Sequence, residues 1–453
     1  MGTLFGTDGV RGMANEGNMT AEMALQIGRA LAYTCKEYHR EQGTRPRIII
    51  GKDTRLSGYM LENALTAGIT SMGVDVLLLG PIPTPAVAFI TQSMRADAGI
   101  VISASHNPYF DNGIKIFGRT GYKLPDEMEA EIEELVLSGR INNIRAVAQD
   151  VGKAKRIDDA MGRYIEFCKN TFPNDMTLDG MKVVLDCSNG ATYKCAPLIF
   201  SELGADVTTI HAEPNGMNIN DHCGSQHTQD LQTKVKGVGA DLGLAFDGDG
   251  DRLIAVDETG AELTGDQIMA ICAKAYKDSG ALKNNRIVAT VMSNVGFHAA
   301  MRELGIEVDV AGVGDRLVLE LMKEKEAVVG GEDSGHMIFL DCHTTGDGIV
   351  SALKLVNTVK QSGARLSELA TVMTPFPQRL INIDVKEKPP IEEVPVLMDA
   401  IKEGEDELGE NGRILVRYSG TQPMCRVMVE GPTEKLTDAI AERLAVVVKE
   451  TIG

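Results

Sequence analysis

The sequence predicts an α/β protein: three similar α/β domains with mixed or parallel sheets, then a smaller C-terminal α+β domain, arranged around a central cleft. Three observations predict this. A strand–helix–strand unit recurs three times along the chain. In each copy a third apolar strand runs into a polar, glycine-rich loop. Both patterns stop near residue 370. A chain of 453 residues has room for about three or four domains, and 43% hydrophobic with 24% charged residues is a globular composition.

The first copy opens with an apolar run at 47–50 and a helical stretch that ends at Met72-Gly73, before Val74-Asp75-Val76. The second has its run at 182–185 and reaches Leu203-Gly204-Ala205-Asp206-Val207. The third has its run at 286–291 and reaches Leu304-Gly305-Ile306-Glu307-Val308. In each, the glycine reads as a helix stop and the residues after it as the next strand. Continuous apolar strands joined through helices are the mark of a parallel sheet with helical crossovers. The third strands are 98–102, 242–246 and 327–329. They enter SASHNP (103–108), DGDGDR (247–252) and GGEDSGH (330–336). Ligands of open α/β sheets collect beyond the carboxyl ends of strands, so all three loops belong at one cleft.

An acidic helix at 126–137 and a linker at 151–156 place the first boundary, giving expected domains 1–155, 156–256, 257–370 and 371–453. The two prolines of TPFPQRL (374–380) read as a linker into the last module. That module has strands at 380–385, 413–416 and 426–429, and a long final helix from Glu434. Its middle strand ends in another polar loop, RYSGTQP (417–423).

Composition excludes several classes of function. Lys plus Arg is 45 against 64 Asp plus Glu, a net charge of −19, so neither nucleic acid nor an anionic membrane surface is an expected partner. The longest uncharged stretch, 76–94, is broken by Pro81, Pro83 and Pro85. The N-terminus lacks the basic and apolar regions of a signal peptide. Eight scattered cysteines without a CxxC pair suit reduced thiols, so the expected location is the cytoplasm.

The loops carry the chemistry. Asp247, Asp249 and Asp251 alternate along a segment that, if extended, points three carboxylates one way. They repel one another unless a cation sits between them, and hard oxygen ligands favour Mg²⁺. The rival reading, an EF-hand loop with Glu258 at its twelfth position, is disfavoured because Arg252 stands where that loop needs glycine and 253–256 reads as strand. Ser105 is the candidate nucleophile, in a strand-to-loop turn bent by Asn107-Pro108, with His106 and Lys115 able to stabilise charge or move protons. No GxSxG surrounds it, which argues against a hydrolase triad. Arg417 and Arg426, with Ser419, Gly420 and Thr421, read as an anion clamp in an acidic chain, suited to a phosphate monoester. No Walker loop occurs, and Gly51-Lys52-Asp53-Thr54 lacks its spacing. Glu332, Ser334 and His336 can hydrogen-bond vicinal sugar hydroxyls. Thr7, Asp8 and Arg11 form a glycine-rich polar turn.

FGTDGVRG (5–12), SASHNP, DGDGDR, GEDSGH and RYSGTQP stand in the order of the α-D-phosphohexomutase superfamily, which the whole chain resembles. The opening and DNGIK (111–115) are most similar to its bacterial members that act on glucosamine phosphates. The resemblance implies four domains around a deep cleft, the last TBP-like. It implies that Ser105 carries a phosphoryl group and is a metal ligand with Asp247, Asp249 and Asp251, which hold one Mg²⁺. Arg11, His106 and Lys115 would lie near the transferring group. Arg252, Glu332, Ser334 and His336 would contact the sugar phosphate, and Arg417, Ser419, Gly420, Thr421 and Arg426 would grip the phosphate that is not reacting. The implied partner is a small hexosamine phosphate, and the implied assembly a monomer or homodimer. Glucosamine 6-phosphate would become glucosamine 1-phosphate through a 1,6-bisphosphate, with a glucose or mannose phosphate mutase, and less so a metal-dependent sugar phosphatase, as alternatives. Two positions depart from the family's usual motifs: Gln422 replaces an acid in the phosphate loop, and Asp333 replaces a glutamine in the sugar loop.

Overall fold

The computed structural model describes residues 4–6, 8–39, 45–409, 412–419 and 423–453. It divides into two units, one of Met1–Met292 with Glu307–Thr371, the other of Ser293–Ile306 with Val372–Gly453.

The first unit contains three sheets. The first is built from β1 (Val10–Met13), β2 (Arg47–Lys52), β3 (Asp75–Pro81), β4 (Ala98–Ile102), β5 (Asp111–Gly118) and β6 (Ala154–Arg156), in the order β1-β5-β4-β2-β3-β6. Strand β2 pairs in parallel with β3 on one side and β4 on the other, whereas β5 returns antiparallel to β4. Helices α1 (Ala21–His39), α2 (Gly58–Ser71), α3 (Thr84–Ser93) and α4 (Asp126–Leu137) belong to the same region. The strands are apolar at successive positions because both faces of the sheet are covered. Ile48 and Ile50 enter a core with Ile27, Leu31, Leu65 and Ile69 of α1 and α2. The stretch read as a linker at 151–156 ends instead as the edge strand β6, parallel to β3.

The second sheet repeats the plan with β7 (Lys182–Asp186), β8 (Asp206–Ile210), β9 (Leu242–Phe246), β10 (Leu253–Asp257) and β11 (Glu262–Leu263), ordered β11-β10-β9-β7-β8. The third has β12 (Arg286–Thr290), β13 (Glu307–Ala311), β14 (Val329–Gly331) and β15 (Met337–Phe339), ordered β13-β12-β14-β15. In all three copies the third strand is followed by a loop and an antiparallel return strand: β4–β5, β9–β10 and β14–β15. Each catalytic-looking loop is therefore the tip of a hairpin anchored in a sheet at both ends. The helices are α5 (Ala160–Lys169), α6 (Cys195–Glu202), α7 (Gln229–Val238), α8 (Gly265–Asp278), α9 (Val295–Glu303), α10 (Asp315–Lys325), α11 (Gly348–Ser362) and α12 (Leu366–Ala370). Of these, α9 groups with the second unit.

The second unit has an antiparallel sheet of β16 (Gln378–Asp384), β17 (Arg413–Tyr418) and β18 (Met424–Glu430), with β18 in the middle. Its strands extend beyond the expected ones by a few residues. Alternate residues Cys425, Val427 and Val429 face a core with Leu397 of α13 (Pro395–Leu408) and Ile440, Leu444 and Val448 of α14 (Glu434–Thr451). Glu430 ties this sheet to the start of α9, accepting from the Val295 amide at 2.9 Å while pairing with Arg413 at 3.0 Å.

Helices α1 and α2 cross with almost no side chain between them. A Cβ built at Gly68 would lie 2.2 Å from the Leu25 carbonyl oxygen. Gly68→Ala must push the two helices apart, and we expect a loss of roughly 1–3 kcal/mol in denaturant unfolding.

Candidate active site

Ser105 sits just past the end of β4 with φ of +51°, in the left-handed region. Its Oγ donates to Asp247 Oδ2 at 2.6 Å and lies 3.3 Å from His106 Nδ1. Its amide donates to Ser103 Oγ at 2.9 Å, and the Ser103 hydroxyl donates in turn to Asp53 Oδ2 at 2.6 Å. The hydroxyl that sequence reasoning selected is thus aimed at the metal loop by its own backbone.

The three carboxylates converge for a reason different from the expected one. Residues 247–252 form a tight turn between β9 and β10, not an extended segment: the Gly250 amide bonds the Asp247 carbonyl at 3.1 Å, with Gly250 at φ +73°. The turn gathers one oxygen from each of Asp247, Asp249 and Asp251 to within 4.8 Å of one another, and all three residues are buried. Asp247 accepts from the Arg252 amide at 3.1 Å. Asp249 Oδ2 accepts from Thr84 Oγ1 at 2.7 Å and from Lys115 Nζ at 3.2 Å. Asp249 Oδ1 and Asp251 Oδ1 are buried with no hydrogen-bond partner among the described residues. Bare carboxylate oxygens out of water are costly unless a cation takes them. A hard divalent ion fits this donor set.

The charges around the trio are uneven. Burial, then Asp251 and Asp249, push the Asp247 carboxyl well above the ordinary range. Burial also works against a charged Asp251, but Lys115 and His336 outweigh it and hold that carboxyl well below. Lys115 is itself buried, yet Asp249, Asp8 and Asp251 keep its ammonium charged beyond the usual range. Arg11 pairs with Asp8, and Lys123 bridges Asp8 and Asp315 at 2.5 Å each. Burial, with Arg252 acting in the same direction, lowers His106 to about 4.

The sugar-loop candidates occupy the β14–β15 turn. Glu332 Oε1 accepts from the Gly314 amide at 2.9 Å, and Ser334 Oγ lies 3.4 Å from Glu332 Oε2. His336 is buried, with Nδ1 3.6 Å from Asp251, and the Leu253 amide bonds the Gly335 carbonyl at 3.0 Å. The sugar loop is bolted to the metal loop through main chain. Asp333 turns away: its Oδ1 accepts from the Asp266 amide at 3.1 Å, in the first turn of α8. A carboxylate at this position is favoured by the helix N-terminus it meets.

Arg11, Ser105, His106, Lys115, Asp251, Arg252, Glu332 and His336 line one cavity of about 970 Å³, with Asp247 and Asp249 behind Ser105 and Lys115. Arg417, Ser419 and Arg426 belong to the second unit. There Arg417 and Arg426 stand directly opposite each other on β17 and β18. Burial and its neighbour Arg426 both lower Arg417, and Arg426 Nε is buried without a partner among the described residues. Two cations in register destabilise a strand pair unless an anion joins them. Gly420, Thr421 and Gln422, like Thr7, lie outside the described residues.

Sequence reasoning missed Asp53, which holds Ser103, Thr84, which donates to Asp249, and Asp315, which pairs with Lys123. Asp53 follows β2 and Thr84 follows β3, so the strand-end rule, applied to every parallel strand instead of the third alone, finds both. Asp186, His211 and Cys223 form a second close group. The Asp186 oxygens are already taken by His211 Nδ1 at 3.0 Å and the amides of Ser188 and Gly224.

Four family models match in succession: phosphoglucomutase/phosphomannomutase α/β/α domain I over residues 2–142, domain II over 162–260, domain III over 264–376 and the C-terminal domain over 380–447. The chain belongs to the phosphoglucomutase/phosphomannomutase family, within the α-D-phosphohexomutase superfamily. It is 59% identical to the phosphoglucosamine mutase of Syntrophobacter fumaroxidans and 58% identical to that of Syntrophus aciditrophicus, each alignment covering 100% of both chains. Among solved structures, a phosphoglucomutase/phosphomannomutase family protein from Burkholderia thailandensis superposes with a TM-score of 0.81 at 25% identity, covering 99% of this chain and 97% of that one. The Aspergillus fumigatus N-acetylphosphoglucosamine mutase, solved with GlcNAc-6P and magnesium, shares the fold at a TM-score of 0.68 and 17% identity, over 99% and 96% of the chains.

Two measurements check the site. Adding EDTA should lower the thermal midpoint by re-exposing carboxylate repulsion, and Mg²⁺ should restore it; Asp249→Asn should be more stable than wild type in EDTA and respond little to Mg²⁺. The second concerns Asp347, wholly buried, which caps α11 through the Ile349 and Val350 amides and accepts from Tyr164. Burial raises its carboxyl to about 7. Between the unfolded value near 4 and this folded value the native state binds the extra proton, so stability falls as pH rises. Asp347→Asn should gain stability relative to wild type across that window, read as unfolding midpoints against pH.

Proposed function

We propose that this chain interconverts glucosamine 6-phosphate and glucosamine 1-phosphate, with Ser105 carrying the phosphoryl group and a 1,6-bisphosphate as the intermediate. The observation that carries the reading is the Ser105 hydroxyl held 2.6 Å from Asp247 of the buried aspartate trio, in a cavity also lined by Arg11, Lys115, Glu332 and His336. The substrate follows from the full-length relatives named phosphoglucosamine mutase.

The active form carries phosphate on Ser105. The anomeric hydroxyl oxygen of glucosamine 6-phosphate attacks phosphorus; its bond to phosphorus forms as the bond to Ser105 Oγ breaks, and the hydroxyl proton leaves to an acceptor in the cavity wall. The bisphosphate then turns, Ser105 Oγ bonds to the phosphorus of the 6-phosphoryl group as its bond to sugar O6 breaks, O6 takes back the proton held in the cavity wall, and glucosamine 1-phosphate departs. Asp247, Asp249 and Asp251, with an oxygen on Ser105, would hold one Mg²⁺, which when bound neutralises phosphoryl charge. Arg11 and Lys115 add fixed positive charge, and transfer of this kind depends chiefly on position and neutralisation. A cavity near 970 Å³ is at the large end for small ligands and leaves room for a hexose bisphosphate to reorient. Glu332 and Ser334 would read sugar hydroxyls, Arg252 and His336 would contact the sugar phosphate, and Arg417, Ser419 and Arg426 are the phosphate-binding group of the second unit.

Intact protein should carry one phosphoryl mass increment that disappears in Ser105→Ala, together with activity. Rates on glucosamine, glucose and mannose 1-phosphates should rank glucosamine first; steady release of inorganic phosphate with no isomer formed overturns the mutase reading in favour of a phosphatase. Arg417→Ala and Arg426→Ala should each raise KM about tenfold or more, the loss of one charge-assisted phosphate contact.

A further inference from the structure

We infer that Arg55 and Asn220 are positioning residues for the transfer, a two-sided clamp that fixes the backbone of the Ser105 loop against the metal loop. The inference rests on the function proposed above and assigns a role to two residues outside the site so far described.

Arg55 follows β2 and is fully buried. A buried guanidinium needs all of its donors used. Here one carboxylate, Asp53, takes Nε at 2.8 Å, and the remaining donors go to main-chain oxygens of a single loop. They reach Ser105 at 2.9 Å, Asn107 at 2.8 Å, Asp111 at 3.1 Å, and Pro108. Asp53 also accepts from Ser103, whose oxygen holds the Ser105 amide. The same cation thus grips the Ser105 peptide from both sides.

Asn220 approaches from the second α/β copy, itself at φ +58°. Its Nδ2 donates to the Ser105 and Asn107 carbonyls at 2.9 and 3.0 Å, the same two oxygens that Arg55 holds. Each oxygen then has both lone pairs engaged, which fixes the plane of its peptide. The metal loop rests on this junction: a Cβ at Gly248 would lie 2.7 Å from both the Ser105 carbonyl oxygen and Asn220 Nδ2. The clamp therefore sets where Ser105 stands relative to Asp247. It grips only main chain, so it is indifferent to whether Oγ carries a phosphoryl group, and the serine returns to one position after each transfer.

The test uses full-length enzyme with Asn220→Ala and Asn220→Asp, the second nearly isosteric and without donors. Asn220 is half-buried on a loop, so its variants are a fold-preserving counterpart to Arg55→Lys. We expect kcat to fall about 10- to 100-fold with KM changed less than about twofold, the signature of a misplaced reacting group. The variants should stay folded with a modestly lowered unfolding midpoint, and Ser105 phosphorylation by glucose 1,6-bisphosphate, followed by intact mass, should slow in parallel with kcat. A kcat within about threefold of wild type, or losses matched by loss of folded protein, overturns the clamp. A wild-type enzyme that takes up phosphate but forms no hexosamine isomer overturns the proposed function instead.

Discussion

Three aspartate carboxylates in one dry turn repel one another, and much of the first unit is arranged around that repulsion. Lys115 reaches Asp249 and Asp251 from β5, Thr84 donates to the same Asp249 oxygen from the start of α3, and Ser105 donates to Asp247. Even so, two oxygens remain bare among the described residues. A protein tolerates this only where an incoming cation completes the set, so the site is strained in its own favour before any ligand arrives. The same repulsion explains why Lys115, Arg11 and Arg252 stand close to the trio although acidic side chains such as Asp8, Glu129 and Asp315 also line the cavity. Positive groups are placed locally, against the global sign, where phosphate charge must be met.

The hairpin plan explains how separate copies make one site. In each α/β copy the third strand runs out toward the cleft and the next returns antiparallel, so the loop between them is pinned at both ends. The loops carry different cargoes on the same mount: a hydroxyl, a carboxylate trio, and a carboxylate–imidazole pair. Main-chain bonds then join one mount to another, as between Leu253 and Gly335.

Much of this was legible in the sequence. The three strand–helix–strand copies, the loops at their third strands and the residues Ser105, Asp247, Asp249, Asp251, Glu332 and His336 are all visible as pattern, because continuous apolar runs and glycine-rich polar breaks follow directly from burial and turn geometry. What pattern could not supply was conformation within the loops. Alternation suggested an extended aspartate segment, but Gly250 in the left-handed region folds it into a turn. Asp333 stood out only as a departure from the usual motif, and its contact with the first turn of α8 is visible only in the structure. The clamp of Arg55 and Asn220 carries no local signature, since apart from Asp53 beside Arg55 the groups it holds are main-chain oxygens 50 to 115 residues away.

The left-handed backbone at Ser105 has a consequence for the choice of amino acid. Threonine carries the same hydroxyl and is phosphorylated as readily in many settings, but a β-branched side chain is a steric outlier at φ +51°. The geometry that aims Oγ at the metal loop thereby closes off the one natural residue that could otherwise share its chemistry.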